Sequence, residues 1–525
     1  MSASTQTPLT AVRTRCPAGA GTDVLVVGAG IGGLAAALRL SMLGLAVTVV
    51  EKEAAPGGKI RQLNTPGGPI DLGPTVCTMR WVFDELLSGS GQGFDQLVDA
   101  QPLDVIAHHR WPDGSRLDLY TDKERCRDAI ARFAGLAEAR RHERFLAMAA
   151  ELYRGLEKGY LRQAEPSLTG LLRRAGPAGI LGLARAQPFA SLWHRLGRCL
   201  DDPRLRQLYA RYATYCGSSP LDAPATLMLI AHVERQGVWR IRGGLGQLAT
   251  GLAAAARRHG VRFRFAEDVA SLTVRQGRAS GVRLRSGEAL EARAVVLNGD
   301  VRDLLAGGLG EDSRGGVRAQ QAGRRSLSAV TWAGLAPLGE RGLQHHNVVF
   351  SADYPAEFEA LFGQRRLPDD PTVYLCAADR PRAQALPAER QFILINAPAV
   401  GDRGDFDAAR FLTGAARSAG RALARCGLEI DLEHPGFVAT TPADFHRLFP
   451  ATGGALYGPA THGWRAAFAR SGSRSALSGL YLAGGSVHPG PGVPMAALSG
   501  LAAARCVAAD LGALPRPGRR ALAHA

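Results

Sequence analysis

The sequence predicts an α/β protein: a parallel sheet flanked by helices. Three observations predict it. A buried β-branched run at residues 23–27 (D-V-L-V-V), an Ala/Leu helix pattern over 31–43 and a second strand at 46–50 form one strand–helix–strand unit. Residues 247–258 read as an Ala-rich helix, and 261–297 alternate as short strands with turns at Gln276-Gly277 and Ser286-Gly287. Near the far end, G-L-Y-L-A-G-G-S-V-H-P-G-P-G-V-P-M-A-A-L-S-G (479–500) repeats the order strand, Gly/Pro loop, helix, with the helix opening at about Pro494. At 525 residues the chain exceeds the roughly 100–200 of one domain, so more than one packed lobe is expected.

Between these landmarks, residues 86–235 are mostly helix-like, punctuated by Pro166, Pro177, Pro188, Pro203 and Pro220. Strand-like runs such as T-V-Y-L-C-A-A and Q-F-I-L-I-N-A-P-A mark 327–400. The first 21 residues lack the continuous apolar core of a signal peptide and read as a loose tail, as do residues 513–525. Without that core a cytoplasmic location is expected, and no uncharged apolar run reaches the roughly 18 residues that span a bilayer.

Composition narrows the function classes. The formal charge is +16, yet only four basic residues are lysines (Lys52, Lys59, Lys123, Lys158), so the excess is arginine in an Ala- and Gly-rich chain. Those arginines are scattered and aromatics are 6%, whereas a nucleic-acid reader concentrates charge and interleaves stacking rings; no nucleic-acid partner is expected. The 8 cysteines form no C-x-x-C and no Cys/His cluster in sequence, so neither a metal site nor a disulfide framework is indicated.

Gly28, Gly30 and Gly33 occupy the G-x-G-x-x-G positions between the first strand and helix. The first allows the tight turn, the second lets backbone approach a diphosphate, and the third lets helix and strand pack closely. Free N–H groups and the helix dipole then favour an anion at the helix start. Glu51 ends the second strand, where a carboxylate accepts hydrogen bonds from an adenosine ribose and disfavours a 2′-phosphate. These features predict a dinucleotide other than NADP. The second helix start near Pro494 is superfluous for a nicotinamide but suits a flavin, whose reduced ring is stabilised by a positive helix end.

The glycine fingerprint, Glu51, the doublet Gly57-Gly58 followed by Lys59, the D-L-G-P-T segment (71–75) and the C-terminal loop-helix together resemble the FAD amine-oxidase and phytoene-desaturase superfamily. Within it, G-P-T-V-C-T-M-R-W-V-F-D-E-L (73–86), Y-C-G-S-S-P (215–220), G-V-W-R-I-R-G-G-L (237–245), N-G-D (298–300) and G-G-S-V-H-P-G-P-G-V-P-M (484–495) resemble the bacterial carotenoid desaturases. The T-M-R-W-V-F-D run looks most like the 1-hydroxycarotenoid 3,4-desaturases. Arg242 stands where many phytoene desaturases show proline.

The resemblance implies a Rossmann-like FAD-binding domain assembled from 22–85, 236–310 and 470–512, interleaved with a substrate domain from 86–235 and 311–469 that has a mixed sheet and a helical roof. It implies FAD as cofactor and a long hydrophobic carotenoid as substrate, with Gly28, Gly30, Gly33, Glu51, Lys52, Gly58, Lys59, Gly73, Val269, Gly485, Val493, Pro494 and Met495 holding the cofactor. For Lys59 a solvated surface position is the alternative; for Val269, a plain buried strand valine; for Gly485, Val493, Pro494 and Met495, simple loop packing. Asp300 either meets the cofactor or caps the next helix. His232 and His488 are read as structural rather than as bases, and Tyr215 and Trp239 as packing residues of the tunnel or core. No catalytic residue is identified. No G-x-S-x-G or H-E-x-x-H occurs, in keeping with chemistry carried by a cofactor.

Residues 161–211 hold nine arginines against three acids around G-I-L-G-L-A and F-A-S-L-W, with Phe189 and Trp193. Basic and aromatic-apolar neighbours suit a peripheral surface on the inner face of the cell membrane; a helical roof with a solvated arginine face is the alternative. Rival functions on the same scaffold are a phytoene or neurosporene desaturase, a carotenoid oxidase, and a non-catalytic prenyl-binding escort resembling the Rab GDP-dissociation inhibitors.

Overall fold

The computed structural model describes residues 21–318, 323–339, 342–381 and 386–513. The tails expected at 1–21 and 513–525 therefore lie outside the described residues, apart from Gly21 and Ala513.

Five short parallel strands form the first sheet, in the order Leu480–Leu482, Ala294–Leu297, Val24–Val27, Val47–Val50, Arg262–Arg264. The three central strands read VLVV, VTVV and AVVL and are buried almost throughout, as a parallel sheet covered on both faces requires. Residues from the beginning, middle and end of the chain thus share one sheet. The helix Ile31–Met42 packs against both Gly246–Arg258 and the C-terminal helix Val493–Asp510. The last contact is backbone-close: a Cβ on Gly500 would lie 2.2 Å from Gly32 O. A three-stranded antiparallel sheet, Val269–Arg275, Arg278–Leu284 and Ala289–Glu291, adjoins this layer. Its first turn has positive φ at both Gln276 and Gly277, matching the right-handed twist of a hairpin.

The second lobe is a seven-stranded mixed sheet in the order Phe437–Thr440, Ser328–Ala336, Glu389–Ala397, Val373–Ala377, His346–Val349, Val105–Arg110, Arg116–Tyr120. The two-residue period of its strands divides two environments. Val330, Trp332, Ile393 and Ile395 pack with Ala415, Ala419 and Ala422 of the helix Ala408–Arg425, whereas Thr331, Phe392, Leu394 and Asn396 line a large cavity.

The segment 86–235 is mostly helical, as expected, and also carries strands that the sequence did not show. Residues 86–235 include three strands, Ala100–Pro102, Val105–Arg110 and Arg116–Tyr120, and the last two complete the large sheet. V-I-A-H-H-R hides its strand because Ile106 and the polar trio His108, His109 and Arg110 are all buried, so the hydrophobic alternation fails. The turn chemistry of W-P-D-G-S (111–115) was the available signal. The rest of the segment is the roof, including the long helix Leu136–Leu156 and Leu168–Ala186, which breaks at Gly176 (φ 65) just before Pro177.

Candidate functional site

The strand Val24–Val27 ends at Gly28, whose φ of 99 only glycine adopts without strain, and Gly28 N–H donates to Val50 O (2.8 Å). A Cβ on Gly33 would lie 2.1 Å from Gly28 O, and one on Gly30 would lie 2.5 Å from Asn298 Nδ2. The helix that follows starts with no side-chain cap and no acid in its first turn, so its N–H groups and dipole face the groove uncompensated.

Glu51, 6% exposed, lines this groove. Its Oε2 accepts from Ala29 N–H (2.6 Å) and its Oε1 from Glu53 N–H (3.0 Å). The carboxylate therefore braces the glycine turn as well as facing the position of a ribose. Gly57 N–H donates to Ala29 O (3.0 Å), and Gly58 lies so close to Gly30 that a Cβ would reach its Cα at 3.2 Å. The doublet thus closes over the same turn. Asn298 is the wedge on the other side, against Gly28, Gly30, Gly32 and Gly484. The sequence showed Asn298 only inside the N-G-D motif, because its contacts come from both ends of the chain.

The C-terminal loop returns beside it. Gly484 N–H donates to Ser499 Oγ (2.7 Å), and the helix Val493–Asp510 also starts without a side-chain cap or an acid in its first turn. Gly485, Val493, Pro494 and Met495 line the same cavity as Gly28, Gly30, Glu51, Lys52, Gly58, Lys59, Gly73 and Val269. Gly33 lies behind the wall, where it sets the helix–strand distance. Lys59 is not a solvated surface lysine: its Nζ donates to Leu456 O (2.6 Å) and lies 5.1 Å from the Phe449 ring centroid. Burial lowers its pKa, and Asp300 acts against that shift. Lys52 is exposed at the rim, with Nζ donating to Leu448 O (2.8 Å). Gly73 lets the chain pass, since a Cβ there would lie 2.0 Å from Lys59 O. Val269 is both a buried strand valine and a lining residue.

Asp300 caps the helix Val301–Ala306 by accepting from Arg302 N–H (3.0 Å), and it also lines the cavity. The two histidines lie elsewhere. His488 is fully buried with Nε2 against Tyr160 O (2.9 Å), and burial pushes its pKa down to about 4; His232 pairs with Gln236 (3.1 Å). Neither lines the cavity. Trp239 packs under Gly237, also outside it, and Arg242 forms an exposed ion pair with Asp99 (2.8 Å).

The cavity measures about 1090 Å³, just above the roughly 300–1,000 Å³ usual for a single small-molecule site. Beyond the glycine groove its walls turn apolar, with Leu171, Leu227, Ile230, Val233, Phe392 and Leu394. It reaches Leu168, Leu172 and Phe189, side chains exposed to 43%, 43% and 75%. One polar cluster interrupts the apolar wall. Glu234 accepts from Tyr212 Oη (2.5 Å) and Tyr215 Oη (3.0 Å), and Arg211 donates to Tyr215 Oη (2.9 Å). Burial raises the Glu234 pKa while its two tyrosine donors lower it. Tyr215 thus does more than pack. Arg211 and Glu234 escaped the sequence reading because they lie on separate helical segments, Arg211–Cys216 and Leu229–Arg235, that only the fold brings together.

Strand pairing also joins His345, His346 and Cys376, whose ligand atoms lie within 4.8 Å of one another outside the cavity. Burial, aided by Arg240, pushes His345 down to about 4, and burial pushes Cys376 up to about 12. Burial keeps the proton on the thiol, and the thiolate, not the thiol, is the metal ligand.

The uncapped helix starts, the glycine clearances and the braced acid fit FAD, whose diphosphate and ribose need those donors and acceptors. Residues 31–322 match the family model described as flavin containing amine oxidoreductase. The chain is 49% identical over 500 residues to a hydroxyneurosporene desaturase of Rubrivivax gelatinosus, covering 94% of this chain and 95% of that protein. It is 30% identical over 497 residues to a 1-hydroxycarotenoid 3,4-desaturase of Flavobacterium sp. (strain P99-3), covering 90% and 96%. Among solved structures, a putrescine oxidase superposes with a TM-score of 0.57 at 16% identity, covering 94% of this chain and 99% of that one.

Proposed function

The chain belongs to the flavin-containing amine oxidoreductases and, among them, to the bacterial carotenoid desaturases, and from that premise we propose that it introduces the 3,4 double bond into acyclic 1-hydroxy or 1-methoxy carotenoids. One observation carries the proposal: a single cavity joins the dinucleotide groove to an apolar chamber that reaches an exposed apolar rim. FAD, when bound, supplies the hydride acceptor at N5, and a proton leaves the adjacent carbon. The chain's own share is to bind, align and dry. Glu51 and the Gly28–Gly33 turn would hold the adenosine end, and Gly485 with the Val493–Met495 helix start would meet the flavin end. Leu227, Ile230, Val233, Phe392 and Leu394 would exclude water and hold the polyene. A prenyl escort without redox chemistry leaves the two uncapped helix starts and the braced acid without a purpose.

The test is anaerobic incubation of the FAD-loaded enzyme with phytoene, neurosporene and 1-hydroxyneurosporene, reading conjugation length by absorbance. Lengthening of 1-hydroxyneurosporene is expected; turnover of phytoene with none of the hydroxylated substrate overturns the assignment in favour of a phytoene desaturase.

We also propose peripheral membrane contact through the roof. Leu168, Leu172 and Ile180 are each 43% exposed and Phe189 is 75% exposed, beside the exposed Arg173 and Arg174. Trp193 belongs to the interior side, tilted against Tyr354 (6.1 Å) with the Arg206 guanidinium 3.8 Å from its ring centroid. Among the described residues one helix, Val493–Asp510, is long and apolar enough to cross a membrane, and 72% of it is buried in the core. The contact proposed is therefore interfacial. Anionic vesicles are expected to float the protein, and Leu172→Ser/Phe189→Ser to reduce the bound fraction several-fold. Equal failure to float with anionic and neutral lipid sinks the idea.

A further inference from the structure

Among the described residues, Arg211 is a cavity-lining cation beside the apolar chamber with donors to spare. The guanidinium carries five N–H donors. Its one hydrogen bond among the described residues goes to Tyr215 Oη (2.9 Å), and it forms no ion pair there; its remaining attractions are to ring faces, with its central carbon 5.2 Å from the Tyr215 centroid and 5.4 Å from Tyr374. Arg211 lines the cavity. Behind it the acceptors are already committed, since both Glu234 oxygens take tyrosine protons. Tyr374 Oη is 2.6 Å from Thr75 Oγ1 and 2.7 Å from His346 Nδ1. The cluster thus offers donors and no free carboxylate.

Its position is also defined. Cys216, the next residue along from Tyr215, is half-buried, with Arg470 near enough to favour its thiolate, and Arg470 donates to Gly485 O (3.3 Å) in the C-terminal loop. A Cβ on Gly217 would strike the Tyr457 ring at 2.5 Å. The cluster therefore stands beside the flavin end of the cavity, not at the exposed rim. In a 1-oxygenated carotenoid the oxygen-bearing carbon lies two bonds from C3, so an oxygen anchor for 3,4 chemistry belongs near the reacting bond. A tertiary alcohol and a methyl ether share one property there: each accepts a hydrogen bond.

We infer that Arg211 is a specificity residue that donates a hydrogen bond to the C1 oxygen of the substrate, with Tyr215, Glu234 and Tyr212 as positioning residues that aim the guanidinium. The inference rests on the 3,4-desaturase reading and adds the residue that tells an oxygenated end from a hydrocarbon one. A buried donor left without its acceptor disfavours the hydrocarbon, because the guanidinium has been desolvated and gains nothing in return.

The test uses the full-length, FAD-loaded chain and its variants Arg211→Met, Arg211→Lys and Tyr212→Phe, each first shown to keep wild-type flavin absorbance and Tm. Kd values for 1-hydroxyneurosporene, 1-methoxyneurosporene and neurosporene are read from quenching of tryptophan fluorescence, and KM and kcat from conjugation length. Arg211→Met is expected to weaken both oxygenated substrates about 10- to 100-fold, mainly through Kd and KM, and to leave neurosporene no weaker, or tighter, because the unpaired buried donor is gone. Arg211→Lys should restore part of the preference, and Tyr212→Phe should lose part of it. An unchanged ratio of oxygenated to hydrocarbon Kd in Arg211→Met overturns the inference, as does an equal loss on all three. If Arg211→Met fails to fold, an unchanged ratio in Tyr212→Phe and Arg211→Lys overturns it instead. Failure of the underlying reading shows separately, as a wild-type product without the new 3,4 double bond.

Discussion

Gly33→Val is expected to give a chain that retains no FAD and has no desaturase activity. The added Cβ would lie 2.1 Å from Gly28 O, with Asn298 Cβ and Val26 Cγ1 each at 3.2 Å, so the only relief is to move the first helix off the sheet. That displacement costs about 1–3 kcal/mol or more in packing and withdraws the helix N-terminus from the diphosphate at the same time. The measurements are flavin absorbance per chain after purification in excess FAD, and the thermal unfolding midpoint. A control glycine separates a local from a general effect: at Gly420, within the helix Ala408–Arg425, an added Cβ would meet nothing within 4 Å, so Gly420→Ala should keep FAD and gain up to about 1 kcal/mol of stability. Wild-type flavin content in Gly33→Val would refute the account of the turn.

Glu51→Ala is expected to weaken FAD binding by on the order of 100-fold. The carboxylate accepts from Ala29 N–H at 2.6 Å and Glu53 N–H at 3.0 Å, and hydrogen bonds to a charged group are each worth roughly 1.5–3 kcal/mol. Its removal leaves a buried N–H in the glycine turn without an acceptor before any ribose contact is counted. Glu51→Gln keeps an acceptor oxygen and should fall between wild type and alanine. The readout is the FAD Kd from flavin fluorescence on titration into deflavinated protein. An alanine variant with wild-type Kd would mean that neither the brace nor the ribose contact matters.

The cofactor half of the site was legible because its determinants are local. Gly28, Gly30, Gly33 and Glu51 lie within one strand–helix–strand unit, and their spacing follows from backbone geometry alone. The hairpin turn at Gln276-Gly277 was readable for the same reason, since two positive φ values call for those residues. The strand Val105–Arg110 was not legible, because a strand buried on both faces by His108, His109 and Arg110 carries no alternation to detect.

Beyond the single residue, the chain's order in sequence determined the α/β class, the dinucleotide turn and the second helix start that points to a flavin. Each depends on interactions across a few residues, where chain connectivity fixes the geometry. Only the tertiary structure decided that Asn298 wedges both glycine loops, that Lys59 faces the cavity, and that Arg211 and Glu234 meet in one polar cluster. Those pairings join segments far apart in the chain, and no periodicity in the sequence records which distant side chains packing will bring within a hydrogen bond of each other.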